Sequence, residues 1–295
     1  MREAFFQHLI NHAKTNDLYF VTADVGFKFK DELVALLGPR FINVGVAERN
    51  MIAVAAGLAS QGHEVYCYSI GPFMSTEAFS FIRNDVVYHQ MNLTMVNGGA
   101  GLQYGQQGFS HLVFEDLNLL GLYPDVHLYQ PSSRAQLPIL FEEIIQVKGP
   151  KYVRLGWKFD QINHPHEKFI YELNKGLEIT LITSGLIQQC IAPVLGQLEE
   201  NLEKGIQVLV VDKISEGVVQ ELQELVSTKK IIFIEESLFP GPLFSRIYNK
   251  MVGDYEIRSV NLDLEFQHIG TRSEMYDQMG FPIKKIKETI ESFKG

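Results

Sequence analysis

Glu48 stands at the head of a run of small and apolar residues, Val44-Gly45-Val46-Ala47-Glu48-Arg49-Asn50-Met51, continuing through Ile52-Ala53-Val54-Ala55-Ala56-Gly57-Leu58-Ala59. Apolar positions at Met51, Ala55, Leu58 and Ala59 fit a buried helix. The carboxylate then lies at the helix mouth, beside the positive end of the dipole and partly out of water. A carboxyl group placed there can hold or release a proton, which is what general acid–base work requires. The alternative is a first-turn acid that only complements the dipole. A second stretch with chemical promise runs from Asn97 to Gly108 and closes on Phe109-Ser110-His111. Its five glycines among twelve residues are too permissive for regular structure. It matches neither phosphate-loop pattern, having no G-K-[ST] and no G-x-G-x-x-G between strand and helix. A long glycine loop inside a compact domain reads here as a binding loop, against the plainer reading of a surface connection.

Other candidates read as structural. Cys67 and Cys190 are the only cysteines, far apart and without ligand spacing, and are expected as reduced core thiols of a cytoplasmic protein. His164-Pro165-His166 has no carboxylate or Cys at ligand spacing and reads as solvated. Glu235-Glu236 reads as a solvated strand end rather than an acid–base pair.

The elements that must position these residues follow from periodicity. Helix 2–15 precedes a buried strand over 18–21, and helix 31–37 stops at Gly38-Pro39. Strands follow at 41–44, 65–70, 93–96, 126–129 and 152–155, with helices after Glu48 and at 75–89, 114–122 and 133–146 between them. That alternation predicts a mainly parallel sheet covered on both faces, with ligands at the carboxyl ends of its strands. Asp24, Glu48, Phe73, Gly98 and Gln130 all fall at or just past such ends. The polar segment from Trp157 to Lys175 reads as an interdomain connection. A second alternation follows: strands at 179–183, 208–211, 231–234 and 256–262, helices at 186–204, 215–228 and 242–251, and one or two closing helices. The expected fold class is α/β with two domains, residues 1–160 and 176–295, joined by a linker over 161–175. Length and composition agree, with 295 residues of which 46% are hydrophobic and 21% charged. A formal net charge of −9 and no dense basic run speak against nucleic acid. No signal peptide and no apolar run long enough for a membrane are apparent.

Read together, these residues resemble the C-terminal half of transketolase and its relatives, most closely the separately encoded C-terminal section of a split transketolase. Asn43-Val44-Gly45-Val46-Ala47-Glu48-Arg49-Asn50-Met51 resembles the N-x-G-[IV]-x-E-x-x-M signature. Phe73 with Ala78-Phe79-Ser80-Phe81-Ile82-Arg83-Asn84 resembles the F…AFxxIRN run. Gly108-Phe109-Ser110-His111 with Glu115-Asp116 resembles G-x-[ST]-H…ED. Glu235-Glu236 with Gly241-Pro242-Leu243, and Gly270-Thr271-Arg272-Ser273-Glu274, resemble two turns of the last domain. The matches fall in chain order over nearly the whole sequence.

The resemblance implies a pyrimidine-binding domain followed by a transketolase C-terminal-like domain, and a thiamine diphosphate site shared between two chains. It implies that Glu48 contacts the aminopyrimidine ring nitrogen, that Phe73 stacks on that ring, and that Asp24 lies beside the cofactor, with Phe79 either adding to the same wall or belonging to the core. His111 would face substrate, binding hydroxyls or a forming alkoxide. Gln107, Arg2, Gln130 and Arg154 would be further substrate contacts. The G-D-G motif that binds Mg²⁺ and the diphosphate in this family is missing, and Gly253-Asp254-Tyr255 does not complete it. A separate N-terminal-type subunit is therefore expected to carry the metal, in an α₂β₂ heterotetramer. The chain also departs from the family at the substrate end. Gln107 replaces an Asp, while Gly99 replaces a His and Gln130 an Arg that are phosphate contacts in sugar-phosphate enzymes; Arg2 matches another such arginine and is retained. Those losses imply a ketol or acyl transfer between sugar-like substrates other than the ordinary phosphates. The competing readings are the β subunit of a 2-oxoacid-decarboxylating E1-type enzyme and a non-catalytic scaffold subunit.

Overall fold

The computed structural model describes residues 1–156, 168–198, 200–248, 250–251, 253–263 and 269–293. Among the described residues twelve strands form two sheets. The first holds β1 Leu18–Thr22, β2 Phe41–Asn43, β3 Glu64–Ile70, β4 Leu93–Gly98, β5 His127–Tyr129 and β6 Lys151–Leu155. The second holds β7 Ile170–Asn174, β8 Ile179–Ser184, β9 Ile206–Val211, β11 Lys230–Leu238 and β12 Glu256–Leu262, while β10 Lys213–Ile214 returns to the first. Spatial order in the first sheet is β10-β5-β6-β4-β3-β1-β2, parallel except for β10. In the second it is β12-β11-β8-β9-β7, parallel except for β7.

The near-continuous apolar runs that define β3 and β4 are what a parallel sheet covered on both faces demands. One face of the first sheet packs Val21, Cys67 and Met95 against Met51, Ile52, Ala55 and Ala56 of the helix Glu48–Ser60. The alanines let that helix lie close to the strands. The other face packs Phe20, Tyr68 and Val96 against Phe6, Leu9 and Ile10 of helix Arg2–Ala13 and against Phe141 of helix Leu137–Gln146. Each such fully buried large side chain contributes about 1.5–3 kcal/mol. Cys67 is buried and free, and burial pushes its thiol pKa well up.

From β1 the chain passes to β2 at one edge, whereas from β3 it passes to β4 on the opposite side. That divergence opens a crevice at the carboxyl ends of β1 and β3. Among the described residues no helix is long and apolar enough to cross a membrane.

The sequence reading and the structure part company in four places. His164, Pro165 and His166 lie outside the described residues, but the latter part of the expected linker is not a linker: Ile170–Asn174 pairs antiparallel with β9. The helix expected over 186–204 is broken into a turn Gly185–Cys190 and short helices Ile191–Leu195 and Glu200–Lys204. Pro193 lacks a backbone donor and Gly196 favours no helix, so a long helix cannot run through them. The helix expected over 75–89 is instead a π-helical turn Phe73–Glu77, a single α turn Phe79–Phe81 and a second π-helical turn Ile82–Val87. Finally, Glu235 and Glu236 are buried, not solvated, because β11 runs on to Leu238 beneath loops of the first sheet. Burial raises the Glu235 pKa to about 7 despite backbone donors from Leu243 and Phe244 at 2.8 and 3.1 Å.

Asp212, which follows β9, ties the two sheets together. Its Oδ1 accepts the Ser132 backbone N–H at 3.0 Å and its Oδ2 the Ser132 hydroxyl at 2.9 Å, while Ser132 Oγ also meets the Tyr171 hydroxyl at 2.6 Å. Burial raises the Asp212 pKa from an ordinary 3.8 to about 8, against the lowering effect of the Ser132 bonds. An acid whose pKa is higher in the folded state holds an extra proton there between the two values. Its contribution to stability is therefore lost as pH rises from about 4 towards 8. Replacing Asp212 by Asn should remove this slope. Between pH 5.5 and 7.5 the wild type should lose about 2–3 kcal/mol of unfolding free energy relative to the variant. Urea denaturation of both proteins at the two pH values checks this, and parallel pH dependences would refute it.

Candidate active site

The crevice is built from the ends of β1, β2 and β3. Past β2 the Val44 backbone N–H donates to Thr22 O at 3.0 Å, and Gly45 turns the chain at φ +75, a conformation that favours glycine. Asn43 braces both loops. Its Oδ1 accepts the backbone N–H of Asp24 at 2.9 Å and of Gly45 at 3.0 Å, and its Nδ2 donates to Asp24 Oδ1 at 2.9 Å. Asp24 itself sits at φ +54, a strained position that Asp tolerates better than most residues. The helix then begins at Glu48, whose Oε1 accepts the Ser69 hydroxyl at 3.1 Å. Ser69 is fully buried near the end of β3. The half-buried carboxylate is thus pinned where the sheet's connections diverge.

Beyond β3 the chain turns through Gly71-Pro72 into Phe73. A Cβ at Gly71 would come within 2.8 Å of Asn97 Nδ2, so the turn can lie this deep only as glycine. Beneath it is a buried polar network. Asn97 Nδ2 donates to the Tyr152 hydroxyl at 2.7 Å, Tyr152 donates to Asp116 Oδ2 at 2.7 Å, and Arg154 Nε lies 3.1 Å from the same oxygen. Arg49 Nε donates to Glu77 O at 2.9 Å, joining the first turn of the Glu48 helix to the turn that bears Phe73.

Phe73 is half-buried, and its ring meets that of His111 edge to face with centroids 5.1 Å apart. His111 Nδ1 is 3.0 Å from Ser110 Oγ. The glycine loop that delivers His111 is not the unstructured connection its composition implies. It closes with an antiparallel bridge between Gly101 and Val113 and contains two 3-10 turns, Gly105–Gln107 and Phe109–His111. Its glycines permit close approach: a Cβ at Gly99 would run into the Tyr104 ring, and one at Gly101 into the Glu236 carboxylate.

Glu48, held by Ser69 of β3, and the Phe73–His111 pair thus both lie at the carboxyl edge of the first sheet, with Asp24 exposed on the neighbouring loop. Gln107 is exposed on the glycine loop, and Arg2 Nη1 donates to the Tyr68 hydroxyl at 3.3 Å. Three candidates have other partners in the folded chain. Phe79 packs on the core beside Tyr123, ring centroids 6.3 Å apart, rather than extending the Phe73 wall. Gln130 is buried at the sheet junction, donating to Ser184 Oγ at 3.1 Å. Arg154 is buried too. Besides pairing with Asp116 it donates to Val113 O at 2.8 Å and to Glu236 O at 3.3 Å. Both polar groups are used to join the sheets, because buried donors and acceptors must find partners there. The sequence reading gave no such role to Ser69, Asn43 or Glu236, although Asn43 opens the signature that contains Glu48, Glu236 belongs to the Glu235-Glu236 pair, and Ser69 is a hydroxyl at the end of the apolar run Val65-Tyr66-Cys67-Tyr68. Among the described residues no three His, Cys, Asp or Glu side chains gather as a metal site.

The family described as "Transketolase, pyrimidine binding domain" matches residues 10–157 of this chain. The chain belongs to the transketolase family. Its relatives include the "Putative transketolase C-terminal section" of Methanocaldococcus jannaschii, 32% identical over 63% of this chain and 61% of that protein. They also include the "6-deoxy-6-sulfo-D-fructose transketolase subunit SqwH" of Clostridium sp. (strain MSTE9), 29% identical over 70% of this chain and 65% of that one. The chain thus covers less than two thirds of the length of either. Among solved structures, "Split gene transketolase, inactive beta4 tetramer" superposes with a TM-score of 0.82 at 23% identity, covering 99% of this chain and 96% of that one, and shares the fold. Membership of the transketolase family implies thiamine diphosphate as cofactor. The residues present fit the ring end of that molecule. An acceptor-capable carboxylate and a half-buried aromatic face stand at the mouth of one crevice, where a flat heteroaromatic base can be stacked and hydrogen-bonded.

Proposed function

We propose that this chain is the β-type subunit of a split, thiamine-diphosphate-dependent transketolase. It would supply the pyrimidine half of a site completed by a separate N-terminal-type subunit, which holds Mg²⁺ and the diphosphate. The observation that carries this reading is the Glu48 carboxylate pinned by Ser69 beside the Phe73–His111 pair. Thiamine diphosphate, when bound, supplies the nucleophilic carbon and the electron sink for the transferred ketol unit. Glu48 shares a proton with the pyrimidine ring nitrogen, and Ser69 keeps its carboxylate in place. Phe73 offers its face to that ring. The Phe73 ring and Ser110 orient His111 to bind a substrate hydroxyl or a forming alkoxide. Asn43 holds the Asp24 loop at the crevice edge.

The need for a partner is supported by two apolar side chains beside these groups. Val46, two residues before Glu48, is 83% exposed, and Phe109, two residues before His111, is 62% exposed. A companion subunit closing the site would cover both. The names of the relatives, a "C-terminal section" and a "subunit", support the same division, as does the inactivity of the β₄ neighbour on its own. An α₂β₂ tetramer in the cytoplasm is the assembly proposed.

The substrate reading rests on missing cations. Gly99 bears no side chain, Gln130 is uncharged and buried, and Arg154 is committed to Asp116. A phosphate dianion at the far end of the sugar would find few charged donors, so the proposed substrates are ketoses without the ordinary terminal phosphate. Steady-state kinetics of the reconstituted complex with D-xylulose and with D-xylulose 5-phosphate test this. The unphosphorylated ketose is expected to be the better donor by kcat/KM. Equal or faster turnover of the phosphate would refute the substrate reading.

A further inference from the structure

The second sheet reaches into the site through one residue. Glu236, near the end of β11, is 6% exposed and its carboxylate is doubly used. Arg272 holds it from one side, Nη2 to Oε2 at 2.6 Å and Nε to Oε1 at 3.0 Å, and the Tyr276 hydroxyl lies 2.9 Å from the same Nε. On the other side Oε1 accepts the backbone N–H of Leu102 at 3.2 Å, at the start of the glycine loop. The backbone carbonyl of Glu236 accepts from Arg154 at 3.3 Å, and Arg154 Nη2 donates to Val113 O at 2.8 Å, at the far end of that loop. Both limbs of the loop's base are therefore gripped from a single residue of the other sheet, one through its side chain and one through Arg154.

The fit of the loop is equally specific. A Cβ at Gly101 would strike the Glu236 carboxylate, and one at Gly105 would strike Gly270 O and the Met275 sulfur. A divergence between β8, which leads to β9, and β11 on its other side makes the carboxyl edge of the second sheet a natural ligand crevice. Here the loop from the first sheet lies against Glu236 at that edge.

We propose that the Glu236–Arg272 pair is a positioning device. The second sheet fixes the loop that carries His111, and so sets His111 against Phe73, although neither Glu236 nor Arg272 touches substrate. The proposal rests on the role given to His111 above. The bidentate ion pair holds the carboxylate in one rotamer, and that fixed carboxylate holds Leu102. Loss of the grip moves His111 without removing it. Positioning errors on the order of an ångström cost up to about a hundredfold in rate.

Two double variants in complex with the N-terminal-type subunit test this. Glu236→Leu/Arg272→Met removes both charges together, leaving no unpaired ion, and deletes the acceptor for Leu102. Glu236→Gln/Arg272→Met also removes both charges but keeps an acceptor. Amide exchange at Leu102 and through residue 112 should rise about tenfold or more in the first variant and by less in the second. The kcat for ketol transfer should fall in the same order, by about tenfold or more in the first. Affinity for thiamine diphosphate should stay within about threefold of wild type in both. If the first variant does not fold, the second must still show faster exchange at Leu102 with a proportionate loss of kcat. Unchanged exchange in a folded variant, or a loss of kcat that is equal in both and unaccompanied by faster exchange, would overturn the proposal. A wild-type complex with no ketol turnover would sink the reading of His111 alone, and the order of exchange rates would still decide whether Glu236 grips the loop.

Discussion

Replacing Glu48 by Gln lowers ketol transfer in the reconstituted complex by about 10²–10⁴-fold, the range carried by a positioned proton-transfer group. The substitution is nearly isosteric. An amide oxygen still accepts the Ser69 hydroxyl, so the link between the helix mouth and β3 is kept. What is lost is the ability to share a proton with a ring nitrogen. Stability should change little, because a first-turn carboxylate contributes only about 0.3–1 kcal/mol through the helix dipole. Thermal unfolding of the variant should thus stay within a few degrees of wild type, while kcat, measured with saturating cofactor, collapses. A scaffold subunit that merely retained the fold would show no change in the activity of the complex, and that outcome would exclude the catalytic reading.

Much of this arrangement is legible in the sequence because the relevant physics is local. Parallel strands buried on both faces read as continuous apolar runs, as in Val65-Tyr66-Cys67-Tyr68 and Leu93-Thr94-Met95-Val96, and their alternation with helices dictates the sheet class. Glu48 is legible for the same reason: a single acid at the mouth of a small-residue helix contrasts with everything around it. Phe73 and His111, by contrast, stand out in the sequence by position, and their roles come only through resemblance. Their approach to 5.1 Å depends on a turn after β3 and a loop after β4 that no periodicity records.

The misreadings share one cause. Glu235, Glu236, Gln130 and Arg154 are polar residues at strand ends, and with a single sheet in view such residues are solvated or available to ligands. In the folded chain two sheets meet at those ends: Gln130 donates to Ser184, Arg154 to the Glu236 carbonyl, and Glu235 accepts from the Leu243 and Phe244 backbone. Burial by a distant segment leaves no mark in neighbouring residues. The strand Ile170–Asn174 was hidden similarly. An antiparallel edge strand with one polar face looks like a polar connection until its partner, Ile206–Val211, is known. The pKa values of Asp212 and Glu235 follow from this junction and were invisible for the same reason.

The second large effect concerns the partner. On the proposed reading the crevice offers a carboxylate, an aromatic face and an imidazole to the ring end of the cofactor, and the partner subunit supplies the contacts to its diphosphate and metal. An aminopyrimidine gripped from one side only gains a stack and a hydrogen bond. Those contributions, about 0.5–1.5 and 1.5–3 kcal/mol, do not offset the several kcal/mol of freedom lost on binding. The diphosphate, as the most charged part of the cofactor, would remain in water. The direct measurement is titration of thiamine diphosphate with Mg²⁺ into the purified chain, without and then with the N-terminal-type subunit, with ketol transfer followed in the same samples. The account requires weak binding and no turnover for the chain alone, and tight binding with turnover once the two subunits are mixed. Tight binding and full turnover by the chain alone would contradict it.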